Sequence, residues 1–126
     1  MKRITMFLAA AGLVLAVSVP TVLASGGGGT RIALRSAKAF PAAKGSAKFK
    51  AKPGERELEA EAEHVRRLVG STVTFYVAGK KLGSAKVGAL GAAHIERRNG
   101  AVPAVRAGTV VSVKTAGGVL IVKGSF

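Results

Sequence analysis

Gly45-Ser46-Ala47-Lys48-Phe49-Lys50-Ala51-Lys52-Pro53-Gly54-Glu55-Arg56-Glu57-Leu58-Glu59-Ala60-Glu61-Ala62-Glu63 is the stretch that decides the fold. Ala47, Phe49 and Ala51 alternate with Lys48, Lys50 and Lys52. Leu58, Ala60 and Ala62 alternate with Glu57, Glu59, Glu61 and Glu63. A period of two is the side-chain period of a strand. Folding at Pro53-Gly54 sets Lys52 against Glu55, Lys50 against Glu57 and Lys48 against Glu59, and sets Phe49 against Leu58 and Ala47 against Ala60. One face becomes a ladder of opposite charges and the other becomes apolar. Such cross-strand pairs give about 0.2–1 kcal/mol each, and the alternation specifies the register.

A helix is the rival reading of residues 55–68, because Glu, Leu, Ala and Arg are good helix formers. A repeat of two, however, scatters Glu around a helix and leaves no apolar stripe, so the strand is expected. Pro-Gly favours a type II turn, whose twist suits a two-residue loop poorly. A four-residue loop with the same register is therefore expected.

Working outward, alternation continues on both sides. Ile32 and Leu34 mark a first strand. A connection over 36–44 follows, with Phe40 as an anchor into the core. Val65 and Leu68 return to the core. Val73, Phe75 and Val77 share one face of a strand and Thr72, Thr74 and Tyr76 the other. Gly79-Lys80-Lys81 reads as a turn, and Leu82 to Ala89 as the returning strand with Ala85 and Val87. Ala93 and Ile95 mark another strand, ended by Asn99-Gly100. Val111 and Val113 precede the turn Ala116-Gly117-Gly118 and the last strand, Val119 to Phe126. Val110, Leu120 and Val122 lie on the opposite face, which suggests that this hairpin is covered on both sides. The expectation is an all-β fold: one small antiparallel β-sandwich or barrel of seven to eight short strands. A faint repeat accompanies it, with Gly45-Ser46-Ala47-Lys48 recurring as Gly83-Ser84-Ala85-Lys86.

The N-terminus reads as an export signal over residues 1–24. Lys2 and Arg3 form a positive start, Ile4 to Val19 an apolar run, and Pro20 to Ala24 a small-residue cleavage region. The apolar run is shorter than the ~20 residues that span a bilayer, so cleavage after Ala24 is expected over retention as an anchor. Residues 25–30 then form a Gly-rich flexible segment and residues 31–126 the all-β domain. The localisation implied is secreted, periplasmic or cell-envelope, with no transmembrane span after cleavage. The chain has no Cys, so packing alone must hold it together despite export.

Charge bounds the partners. The 126 residues carry 20 Lys and Arg against 6 acids, a net charge of +14. Only Lys2 and Arg3 of those bases lie in the leader, and every acid is Glu. A field of that sign attracts polyanions: an anionic polymer or envelope component. Arg66-Arg67, Lys80-Lys81 and Arg97-Arg98 are the basic pairs expected to make contact. Nucleic-acid binders on β scaffolds interleave aromatics for stacking. Tyr76 and a few Phe do not supply that, so no specific nucleic-acid binding is expected.

Catalytic chemistry finds little support. There is no Cys or Asp, and only two His. No Ser sits in a Gly-x-Ser-x-Gly elbow, and no triad spacing is present. His94 and Glu96 share a strand face, but a zinc site would need His64 or Glu61 from elsewhere. The Glu57 to Glu63 row lacks the tight loop that calcium prefers. No catalytic residue, metal ligand or cofactor is assigned. The expected function is a non-enzymatic exported module that binds an anionic partner. The alternative is a structural or adhesive module that associates through a strand edge.

Leu34, Pro41, the Gly45-to-Phe49 strand, the charged return strand and Leu68-Val69-Gly70 together resemble the CHRD-type domain, an extracellular β domain also found in secreted bacterial proteins. The resemblance implies an extracellular all-β module rather than a reaction. Where that family has His-x-His, this chain has His94-Ile95-Glu96.

Overall fold

A computed structural model describes residues 29–126. The export signal and residues 25–28 lie outside the described residues. Eight antiparallel strands form a single sheet: β1 (Gly29–Ser36), β2 (Lys44–Lys52), β3 (Glu55–Glu63), β4 (Thr72–Val77), β5 (Lys80–Lys86), β6 (Ala93–Arg98), β7 (Val110–Thr115) and β8 (Leu120–Ser125). Their spatial order is β5-β4-β7-β8-β1-β2-β3-β6. The sheet curls into a nearly closed barrel in which the two outer strands, β5 and β6, approach each other without pairing.

The β2–β3 hairpin has the expected register at every position. Lys52 faces Glu55, Lys50 faces Glu57, Lys48 faces Glu59, Phe49 faces Leu58 and Ala47 faces Ala60. Its turn differs from expectation. Lys52 and Glu55 are paired directly, so Pro53-Gly54 forms a two-residue loop with Gly54 at φ +76°. Glycine tolerates that left-handed backbone, and nine consecutive pairs of ladder outweigh the poor match of twist.

One side of every strand faces inward. Leu58, Phe75, Val73, Val111, Val113 and Ile121 are completely buried, and no polar side chain among the described residues is. Phe40 and Val65 plug one end, as expected from the sequence. This "Val65 end" gathers the connections 37–43, 64–71, 87–92 and 116–119. A short 3₁₀ turn, Arg66–Leu68, lies in the second of them. The opposite "Pro53 end" carries the β2–β3 and β4–β5 turns and the chain terminus. There Phe126 packs edge-to-face on Phe49 at 6.4 Å.

Three local expectations are corrected. Lys80 and Lys81 do not form the β4–β5 turn. Ala78 (φ +53°) and Gly79 (φ +79°) take the two left-handed positions of a tight hairpin turn, and both lysines lie in β5. The β7–β8 hairpin is not covered on both sides. A bulge between Val113 and Lys114 lets the adjacent Ile121 and Val122 both enter the core, while Val110 stays exposed. The domain also begins earlier than residue 31, because Gly29 and Thr30 already pair with Lys50 and Phe49.

Candidate anion-binding face

The outward sides of the strands carry the charge, and they carry it unevenly. All six Glu of the chain stand on β3 and β6, at positions 55, 57, 59, 61, 63 and 96. Lysines of β2 flank them on one side and Arg98 of β6 on the other. Glu57 accepts ion pairs from Lys50 at 3.5 Å and Arg98 at 3.3 Å, and Arg98 also reaches Glu96 at 3.3 Å. These are the only salt bridges among the described residues. A hydrogen bond with Glu96 holds the Glu57 carboxyl below the ordinary range; desolvation opposes it, and the charges of Arg98 and Lys50 add to the lowering.

The remaining five strands, β1, β8, β7, β4 and β5, have no carboxylate at all. Their outward residues line up through the sheet register. Lys81 of β5 faces Tyr76 of β4, Tyr76 faces Ser112 of β7, Ser112 faces Lys123 of β8, and Lys123 faces Arg35 of β1. Strands lie about 4.8 Å apart, so this row runs roughly 19 Å across the barrel wall. Lys114 joins it, with its ammonium 5.1 Å from the centre of the Tyr76 ring. Thr74 and Ser84 hydroxyls sit 3.2 Å apart on the neighbouring row. A bulge between Phe75 and Tyr76 places Lys81 opposite Tyr76 on the outer face, while Gly83 faces Phe75 within.

The lysines and arginines of the row are not neutralised. Lys81, Lys123 and Arg35 are exposed and have no carboxylate partner among the described residues. Lys123 and Arg35 are directly opposed, and like charges in that position cost stability. An arriving anion would remove that cost.

The six basic residues singled out in the sequence do not form one surface. Lys80, Lys81, Arg97 and Arg98 lie toward the Pro53 end, and Arg66 and Arg67 lie at the Val65 end. Arg98 is held by Glu57 and Glu96. Arg97 is half-buried, packs with Ile95 over Gly83 at the β5–β6 seam, and donates from Nη1 to the Glu96 carbonyl at 2.8 Å. Arg67 lies over the Phe40 ring at 4.5 Å and donates to the Ala39 carbonyl. Lys81 alone of the six stands in the unpaired row. Arg35, Lys114 and Lys123 were missed in the sequence, since each is a single base in an alternating strand. Only the pairing of β1, β8, β7, β4 and β5 brings them together.

Of the residues weighed as metal ligands, His94 and Glu96 share the exposed face of β6 and His94 faces Glu61 of β3, whereas His64 lies past the end of β3 at φ +60°. Glu57, Glu59 and Glu96 bring carboxylate oxygens within 4.8 Å of one another. Lys48 and Lys50 stand opposite Glu59 and Glu57, so this cluster is the middle of the charge ladder.

No family model, curated protein or solved structure matches this chain.

Proposed function

We propose that this is an exported, non-enzymatic β-barrel that binds an anionic polymer of the extracellular space or cell envelope. The contact surface is the outer wall of β5, β4, β7, β8 and β1, centred on Lys81, Lys114, Lys123 and Arg35. The observation that carries the reading is the confinement of every glutamate to β3 and β6. The net charge is therefore concentrated on one wall and displayed as a row. Tyr76, Ser112, Thr74 and Ser84 add hydroxyl groups suited to a hydrated polymer such as an acidic polysaccharide. The export reading of residues 1–24 and the CHRD-type resemblance favour the same compartment.

The test is binding of residues 25–126, which hold all eight strands and the whole described core, to an acidic polysaccharide across a salt series. Lys81→Glu/Lys123→Glu is expected to lower affinity by at least about tenfold, each reversal removing an attraction and adding a repulsion. Unchanged affinity in a folded double variant rejects this surface.

A second reading is self-association through strand edges. It is favoured by one observation: β5 and β6 are both unpaired on their outer sides. Against it, Ile95 and Arg97 fill the seam over Gly83. Sedimentation over a wide concentration range decides it, because a constant monomer mass excludes edge pairing.

A further inference from the structure

We infer that the Val65 end of the barrel docks on an anionic lipid bilayer, with Leu90 and Val69 entering the interface and Arg66, Arg67 and His64 facing the headgroups. This site is distinct from the cationic wall and does not depend on it.

A single exposed leucine is ordinary. Here the exposed apolar side chains and the bases belong to one packed unit. Leu90 is 84% exposed and Val69 46%. The Val65 amide donates to the Gly91 carbonyl at 2.9 Å, and the Val69 amide donates to the Arg66 carbonyl at 3.3 Å. Gly91 (φ +79°) lies directly against Arg66, where an added Cβ would come within 3.0 Å of the Arg66 Cγ. The turn that presents Leu90 is thus locked to the segment that presents Arg66. Gly70 is fixed to the same turn, its amide donating to the Val87 carbonyl at 2.9 Å.

Beside this unit is an open cleft of about 450 Å³, lined by Phe40, Pro41, His64, Val65, Arg66 and Arg67. Its lining joins the exposed Arg66 and Arg67 to the buried Phe40 and Val65. Phe40 and the Ala39 carbonyl pre-position the Arg67 guanidinium. His64 is exposed and held in a left-handed backbone conformation. No acid lies on any of the four connections at this end; Glu63, the last residue of β3, is the acid beside His64. Apolar tips rimmed by Arg suit an anionic membrane surface: the bases neutralise phosphate groups and the apolar chains enter below them. A soluble polyanion would use the bases but would leave Leu90 and Val69 in water. That asymmetry favours the bilayer.

The test uses residues 25–126 with phosphatidylcholine vesicles, with and without phosphatidylglycerol. The chain has no Trp, so Leu90→Trp introduces a single reporter. On phosphatidylglycerol vesicles its emission is expected to shift blue and to be quenched by brominated acyl chains. Ala51→Trp, at the opposite end, is expected to do neither. Leu90→Ser is expected to lower partitioning by roughly tenfold, since a leucine loses its burial, and Arg66→Gln by roughly fivefold. Absence of vesicle binding, an unquenched Leu90→Trp, a quenched Ala51→Trp, or unaltered partitioning of Leu90→Ser overturns the inference. Polymer binding through Lys81 and Lys123 fails or stands separately, because both lie within β5 and β8, outside the four connections of this end.

Discussion

The barrel has two walls built alike and charged alike in kind, yet they differ in what their bases can do. On β2–β3–β6, Lys48, Lys50 and Lys52 each face a glutamate, and Arg98 bridges Glu57 and Glu96. On β5–β4–β7–β8–β1, Lys81, Lys123 and Arg35 share a register row with hydroxyl groups and with one another. The first wall spends its bases on holding a hairpin in register. The second keeps them facing solvent. Net charge sums the two and hides the difference, which only strand pairing resolves.

The two walls share one core, so core truncation beneath either should cost alike. Phe75→Ala, under the cationic wall, is expected to destabilise by about 3–5 kcal/mol, and Leu58→Ala, under the ladder, by about 2–5 kcal/mol. Chemical denaturation measures both. A small loss at one site alone would mean that its wall is not packed on the common core. Gly124 is the tightest backbone approach where β8 meets β1. An added Cβ would lie 2.5 Å from the Ala33 carbonyl oxygen. Gly124→Ala is therefore expected to cost about 1–3 kcal/mol by overpacking, read from the shift of the denaturation midpoint.

Charge reversal should separate the walls by sign. Lys50→Glu sets two carboxylates face to face and is expected to lower stability by about 0.2–1 kcal/mol. Lys123→Glu creates an opposite-charge pair with Arg35 and is expected to raise stability by a similar amount, about 0.2–1 kcal/mol, while weakening polymer binding. The same sign at both sites would break the comparison. The smallest effect is with pH. The carboxyl of Glu57 titrates lower in the folded chain than in the unfolded one. The unfolded state therefore takes up its proton first as pH falls, and the contribution of this group, complete above the ordinary glutamate range, is lost through the lower folded value. Glu57→Gln should remove that part of the acid dependence in denaturation curves measured at stepped pH.

Much of the ladder is legible in the sequence, because alternation and opposite charge lie within one local hairpin. Lys48 could be set against Glu59 by counting from Pro53-Gly54. The all-β class was legible for the same reason, as were the buried faces of β1, β4 and β6. The cationic row was not. It depends on β8 meeting β1 and β4 meeting β7, pairings between strands far apart in sequence that leave no trace in spacing. Adjacent bases drew notice as Arg97-Arg98, but consecutive residues in a strand point to opposite faces. One of that pair was bound to turn inward, and Arg97 did. The bulge at Val113/Lys114 was hidden likewise, since an extra residue looks the same as a break in alternation.

The most direct test of the two-wall account is the salt dependence of binding to an acidic polysaccharide in two double variants, Lys81→Gln/Lys123→Gln and Lys48→Gln/Lys50→Gln. Both remove the same formal charge. The account predicts that the slope of log affinity against log salt becomes shallower by roughly one to two for the first pair, as two polymer contacts are lost, and is unchanged for the second. Equal changes in both, or a larger change in the ladder pair, would contradict it.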